Sequence, residues 1–495
     1  MSILVIYKHF LTNYNIIMEN KTQVIIVGGG PAGISAGITL ARAGKEVILI
    51  ERGNYSGSKN MFGGAIYTQP TKEIFPNFET EAPLERNNTK HKYMLLTQTE
   101  DTTISHTEKS SLSNSYTVIR GKFDRWCAKE AQKAGVILVT ETVVKELIVK
   151  KGKVIGIKTE LENYYADIVI LADGVNSLLA KQIGLRDTIK PQDVALGVKE
   201  VIKIGEEKIN ERFNLNSGEG CITEIIGYPM LSMLGLGYIY TNKDSVSIGL
   251  GIALDELKTH KLKPYELLDQ LKEHPSIAPL IKDGELIEYS AHLIPEGGFN
   301  KVPQLYDDGV LVVGDAGMLV NNLHWEGTNL AMISGKLAGE TAIYALDTKD
   351  FSKETLKLYN KKLENSFVMK DLKSYANLMP IAHERSDSFM NYYMKKINSF
   401  FNMFTAVDSI PKRDKFRDFT KSIFTDRSIR GVNITGKDIY MGIFDKSVTV
   451  DFDATLDSEG REVYVSGSLL LDYNKEQNMK WEACDSPSVY EYEIH

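Results

Sequence analysis

Three glycines, Gly28, Gly30 and Gly33, stand at G-x-G-x-x-G spacing, and an acid, Glu51, follows on the next apolar run. Those residue types suit a dinucleotide. The first glycine permits a tight turn, the second lets the backbone approach a pyrophosphate, and the third lets a following helix pack on the preceding strand. A carboxylate at Glu51 accepts hydrogen bonds from a ribose diol and repels a 2′-phosphate. Two further acid and glycine steps, Asp173-Gly174 and Gly314-Asp315, each end an apolar run. In open α/β sheets, ligands sit beyond such strand ends.

These residues need particular elements to place them. Val24, Ile25, Ile26 and Val27 form the continuous apolar run that a parallel strand buried on both faces requires. The spacing predicts a helix from 31 to about 43, ended by Gly44, whose free N–H groups and positive dipole end face the phosphates. A second strand, Val47–Ile50, delivers Glu51. The set reads as a dinucleotide site but leaves FAD and NAD open, and a glycine-rich turn without a ligand is the plainer alternative.

Beyond this unit, "NYSGSKNMFGGAIYTQP" (54–70) reads as a loop on its glycine and serine content. A helix is expected over 123–134, burying Phe123, Trp126 and Cys127 at helical spacing, so Cys127 reads as core. A hairpin turning at Lys151-Gly152-Lys153 and a strand over 168–172 follow. Strand-like runs from about 192 to 290, including two joined at Asn242-Lys243-Asp244, suggest a sheet inserted between dinucleotide-binding segments as a substrate or acceptor platform. A long helix over about 328–346 carries small residues at Ala331, Gly335 and Ala338 that would allow close packing. Residues 351–425 look mainly helical, and a hairpin is expected around Ser458-Glu459-Gly460.

A chain of 495 residues calls for two or three structural units, and 43% hydrophobic with 25% charged residues is the composition of a globular protein. The net charge of −7 argues against a general nucleic-acid binder. Its distribution is uneven: 431–495 holds 13 acidic against 5 basic residues, whereas 351–430 holds 16 basic against 9 acidic. Cys127, Cys221 and Cys484 are too scattered for a disulfide framework or metal knuckle, which points to a reducing cytoplasmic setting. Asp451, Asp453 and Asp457 do not fit an EF-hand loop, and no metal site is expected. No apolar run is long enough to span a bilayer. Lys8 and His9 interrupt the first segment, and residues 1–17 read as an upstream extension or a misassigned start, with a weak membrane-associating arm as the alternative.

Taken in order, the glycine fingerprint, Asp173-Gly174 and Gly314-Asp315 resemble the large FAD-dependent family that includes aromatic hydroxylases, geranylgeranyl reductases and the electron transfer flavoprotein:quinone oxidoreductases. The resemblance covers about 22–350. The blocks "ERGNYSGSKNMFGGAIY", "IRGKFDRWCAKEA", "GYIYTNKDSVSIGL" and "GDAGMLVNNLHWEGTNLAMISGKLA" are similar to the FixC-type branch of the quinone oxidoreductases.

That resemblance implies an α/β fold: a Rossmann-like FAD-binding domain, an inserted β-sheet substrate or acceptor domain, a helical C-terminal segment and an extra β-rich tail. The implied divisions are an extension at 1–21, FAD-binding parts at 22–190 and 291–350, the insertion at 191–290, helices at 351–430 and the acidic tail at 431–495. It further implies that FAD is the cofactor. Gly28, Gly30, Pro31, Ala32, Gly33, Glu51 and Arg52 would hold the ADP half, with Arg120 at the pyrophosphate and Val144 at the adenine. Asp173, Gly174 and Gly314 would line the phosphate and ribose side, and Asp315 the ribityl chain. Gly327 and Thr328 would aim backbone N–H groups at the flavin N1–C2=O edge, where the reduced ring is anionic.

An electron transfer flavoprotein, a separate ferredoxin-like iron–sulfur protein and a quinone at the membrane surface are the implied partners, with no nucleic acid. The chain would then sit in the cytoplasm or peripherally on the cytoplasmic membrane. The iron–sulfur domain of the longer quinone oxidoreductases needs four cysteines that this chain lacks. The acidic tail has no recognised counterpart in the family.

Competing readings exist. Geranylgeranyl reductases carry a cysteine in the loop where this chain has "GSKNMFGGAIY". An NAD(P)H-dependent flavin monooxygenase fits the Asp173-Gly174 turn equally. A halogenase would show W-x-W, and Trp126, Trp325 and Trp481 are isolated. From another class, the chain would be a scaffold of an electron-transfer complex with a vestigial flavin site, the aromatic and basic "FMNYYMKKINSFFNMF" lying on an interface. His324 is a weak candidate for proton relay, and a lone histidine is more often structural. If the flavin carries the chemistry, the protein needs no nucleophile.

Overall fold

The computed structural model describes residues 21–58, 64–108 and 114–425, with short strand pieces at 434–435, 449–450, 455–456 and 462–463. The expectations for residues 1–17, Cys484, Trp481 and most of the tail fall outside the described residues. The chain divides into two units, Met1–Lys412 and Arg413–His495.

The first unit is built on two sheets. One contains β1 (Lys21–Val27), β2 (Val47–Ile50), β7 (Ile137–Val139), β8 (Val144–Lys150), β9 (Lys153–Thr159), β10 (Asn163–Leu171), β16 (Tyr306–Asp307) and β17 (Val310–Val312). Its central order is β16-β17-β10-β1-β2-β7, with β17, β10, β1, β2 and β7 parallel. Val24, Ile25 and Ile26 are fully buried, which is why this stretch reads as an unbroken apolar run. Register does the positioning. Val27 lies opposite Leu171 on one side and Ile50 on the other, so Gly28, Ala172 and Glu51 leave the sheet side by side.

The expected helix forms over Pro31–Arg42, with proline at its first turn and Gly30 as its N-cap. It packs against the 21-residue helix Thr328–Thr348. A Cβ on Gly335 would stand 2.0 Å from the Ala32 carbonyl oxygen, so the small-residue stripe permits this approach. Helix Arg120–Ala134 starts three residues earlier than expected and ends at Gly135 in the left-handed region.

The second sheet contains β3 (Ala65–Tyr67), β4 (Leu84–Leu96), β5 (Asp101–Thr107), β6 (Ser115–Val118), β11 (Val194–Lys203), β12 (Glu219–Gly227), β13 (Gly235–Thr241), β14 (Ser245–Ala253) and β15 (Glu285–Pro295). Its order is β15-β11-β14-β13-β12-β4-β6-β3, with β5 on β4. Four strands thus come from the 65–118 region, far from the 192–290 stretch in sequence. They join through parallel pairing of β12 with β4. The expected loop over 54–70 is corrected at its end: Ala65–Tyr67 is a strand and Thr68–Ile74 a helix. A three-residue strand is too short to show a period. One face of the second sheet is apolar, with Val198, Ile225, Ile239, Ile248 and Leu250 packing on the helix Pro264–Glu273.

Helices continue through Leu358–Asn365, Phe367–Ser374 and Tyr393–Thr405. In the second unit, Thr455–Leu456 pairs antiparallel with Glu462–Val463, flanking the expected turn, whose own residues lie outside the described ones. Among the described residues, no helix is long and apolar enough to cross a membrane.

Candidate functional site

The parallel strand ends create a cradle around the Gly28 turn. Gly28 has φ +110°, and a Cβ there would meet the Ala172 carbonyl oxygen at 2.1 Å. A Cβ on Gly33 would meet the Gly28 carbonyl oxygen at 2.0 Å, so helix and turn touch backbone to backbone. Gly30 differs. A Cβ there would have nothing within 4 Å, which leaves the start of the Pro31–Arg42 helix open for a phosphate group.

Glu51 is buried, and both its oxygens are engaged. Oε2 accepts the Gly29 N–H at 2.8 Å and Oε1 the Gly53 N–H at 2.6 Å. The acid therefore fixes the shape of both loops it joins. Beside it, Ser56 Oγ is buried without a hydrogen-bond partner, close to where a Cβ on Gly29 would lie. Arg52 is exposed. Val144 opens β8, two residues beyond Thr142, whose N–H donates to the Glu51 carbonyl at 3.1 Å.

Arg120 is buried on the first turn of its helix. Its Nε and Nη2 donate to the two oxygens of Asp124, each at 2.9 Å, and Nη1 donates to Thr328 Oγ1 at 3.1 Å. This fork ties the Arg120–Ala134 helix to the start of the Thr328–Thr348 helix, 208 residues away. Gly327 is the N-cap of that second helix. Asp315 lies in the turn Gly314–Gly317, and burial pushes its carboxyl above the usual range while the Arg120 and Arg186 guanidiniums pull it back. Gly314 has φ +60° and donates its N–H to Ser334 Oγ at 3.0 Å.

Asp173 and Gly174 follow β10, and Gly174 takes φ +75°. Burial lifts the Asp173 carboxyl to about 6, against pulls from backbone N–H groups and Arg186. A carboxyl raised in the folded state keeps its proton after the unfolded chain has lost it, so stability falls as pH rises from about 4 to about 6. Asp173→Asn should flatten that decline by up to about 3 kcal/mol. Urea midpoints at pH 4.5 and pH 6.5 measure it, and equal slopes for variant and parent would reject the buried-acid assignment.

Several residues that bear on the site carried no sequence signal. Buried Arg186 reaches the Ala316 carbonyl at 3.0 Å. On the second sheet, buried Lys199 pairs with Glu288 at 3.0 Å, and Lys199 and His292 both feel the Arg120 charge. Burial first, then Arg120 and Arg52, lowers His292 to about 4, so its ring is neutral near pH 7. Glu326 directly precedes Gly327, is half-buried, and accepts from Asn329 Nδ2 at 3.0 Å. Strand alternation marks the outward positions of β11 and β15, but not which domain they face. His324 is exposed, with its ring edge-on to Tyr375 at 6.0 Å. Among the described residues, no group of three or more His, Cys, Asp or Glu side chains is placed to hold a metal ion.

Residues 21–207 match a family model described as FAD binding domain, and 194–294 one described as ETF-QO, ubiquinone-binding. The chain is 40% identical over 422 residues to protein FixC of Bradyrhizobium diazoefficiens, covering 84% of this chain and 97% of that protein. It is 38% identical over 399 residues to protein FixC of Escherichia coli K12, covering 80% and 93%. The chain belongs to the FixC family.

As a member of the FixC family it is a FAD-dependent oxidoreductase of electron transfer. The fold is also that of a geranylgeranyl bacteriochlorophyll reductase-like protein from Thermoplasma acidophilum, with a TM-score of 0.64 at 20% identity, covering 83% of this chain and 97% of that one. A flavin-dependent brominase, Bmp2, shares it with a TM-score of 0.57 at 17% identity, covering 82% and 100%. The residues present fit FAD. The open space at Gly30 can admit a phosphate, Ser56 Oγ is a buried hydroxyl without a partner beside Glu51, and Asn329 Oδ1 is buried without a partner on the first turn of the Thr328–Thr348 helix.

Proposed function

We propose that this chain takes electrons from an electron transfer flavoprotein onto its FAD and passes them to a quinone, with a separate ferredoxin-like iron–sulfur protein as a companion acceptor. The observation that carries this reading is the match of 194–294 to a ubiquinone-binding family model. Those residues supply strands β11 to β15 of the second sheet, whose Lys199 and His292 feel the Arg120 charge.

FAD, when bound, takes up an electron pair and gives it on. The chain's own residues do the positioning. The turn at Gly28, Gly30, Pro31, Ala32 and Gly33 presents N–H groups to the pyrophosphate, with Glu51 and Arg52 on the ribose side and Val144 near the adenine. Arg120 stands at the pyrophosphate, Asp173, Gly174 and Gly314 line the phosphate and ribose side, and Asp315 holds the ribityl chain. Gly327 and Thr328 aim a helix start at the flavin, favouring the negative charge of the reduced ring. Electron transfer to a quinone places the chain at a membrane surface without requiring a spanning helix.

An anaerobic visible spectrum tests the reading. Bleaching of the flavin bands by a reduced electron transfer flavoprotein, with none by NADPH, is expected. Rapid bleaching by NADPH would reject it in favour of a monooxygenase, and absence of any flavin band would favour a scaffold.

A further inference from the structure

The second sheet has a polar face as well as an apolar one, and it is orderly. Across the ladder, Tyr93 of β4 stands opposite Glu224 of β12, and Glu224 opposite Tyr238 of β13. Residues paired in this way project to the same side. Tyr240, two positions on, shares that side, and its ring stacks on Tyr238 with centroids 4.6 Å apart. A side chain at Gly64, next to β3, would touch the Tyr240 ring at 2.9 Å, so the start of β3 lies against this row. From β3, Tyr67 hydrogen-bonds Glu326 and feels the charges of Tyr240, Glu224 and Tyr93.

The row has a wet end and a site end. Tyr93 is 43% exposed. Glu326 immediately precedes Gly327, where the Thr328–Thr348 helix begins, and is held by Asn329. We propose that Tyr93, Glu224, Tyr67 and Glu326 form a proton path from solvent to that helix start, serving the reduction of a quinone. The proposal rests on the quinone reading above.

Quinone reduction draws its protons from solvent. An electron transfer flavoprotein delivers two electrons, and a quinone leaves as quinol by gaining two electrons and two protons, so both protons come from water. Each group on the row hands a proton inward and regains one from its outer neighbour, and ends unchanged. Burial lifts Glu224 to about 7, so its carboxyl holds and releases a proton near neutrality, while burial also raises Glu326. Tyr67 is pushed up, first by burial and then by Glu326, so its hydroxyl stays protonated and passes protons by rotation. The titratable groups facing Glu224 are Tyr93, Tyr238, Tyr240 and Tyr67, and the 388–392 turn, also packed on β12, carries Tyr392.

The test uses Glu224→Gln and Tyr93→Phe in the full chain with its FAD. Bound flavin is photoreduced anaerobically in weakly buffered solution containing a pH-indicator dye, so electron arrival and proton uptake are read separately. Both variants should keep parental FAD content and flavin bleaching. Dye-reported proton uptake should be at least about tenfold slower in Glu224→Gln, partly restored in Glu224→Asp. Uptake at the parental rate in both variants would overturn the path. A short-chain water-soluble ubiquinone then separates the two readings. If it fails to reoxidise the parent flavin while uptake still depends on Glu224, the acceptor assignment is wrong and the path stands.

Discussion

Arg120→Met is expected to cost about 3–5 kcal/mol of folding stability, because it leaves a buried carboxylate without its partner. Asp124 is 1% exposed and is held in a two-pronged fork by the guanidinium. Removing only the cation strands the anion, whereas removing both need not. Arg120→Met with Asp124→Leu should therefore recover most of the lost stability. Flavin should still be bound less tightly in the double variant, since Thr328 Oγ1 also loses its donor at the helix start. Urea denaturation and flavin content measure the two effects separately. An unchanged urea midpoint in the single variant would show that Asp124 does not depend on Arg120.

Gly30→Glu is expected to abolish flavin retention while leaving the fold in place. The backbone at Gly30 is extended, with φ −81°, so any residue can adopt it, and its Cβ would point into open space. The new carboxylate would stand at a helix N-terminus that favours an anion, in the space proposed for the pyrophosphate. Competition and like-charge repulsion together should weaken FAD binding by more than about 100-fold, or roughly 3 kcal/mol. The flavin-to-protein absorbance ratio reads the loss, and far-UV circular dichroism confirms the fold. Parental flavin content in this variant would remove the phosphate assignment of the turn.

The strand, turn, helix and strand that carry the glycines were legible because they are local. Gly28, Gly30, Gly33 and Glu51 act through one strand, turn, helix and strand, and a continuous apolar run identifies buried parallel strands wherever both faces are covered. The close helix packing at Gly335 was legible for a similar reason, since small residues at helical spacing have few other uses. The family blocks around Arg120 and Thr328 placed both near a flavin, but not against each other.

The rest depended on contacts that no window of sequence contains. That Arg120 bonds Thr328 is a consequence of two helices meeting 208 residues apart. Glu51 was expected to face a ribose, and the structure shows it holding the Gly29 and Gly53 N–H groups, which locks the turn. The second sheet was expected from 192–290 alone, yet the parallel pairing of β12 with β4 brings in the 65–118 strands. That pairing sets Tyr93 opposite Glu224, to which β13 adds Tyr238. By itself the sequence determined the local backbone conformations and which strand positions alternate, because φ/ψ preference and hydrophobic period are properties of neighbouring residues. Which polar side chains share a buried face was decided by tertiary structure, because strand order and register arise from the packing of distant segments.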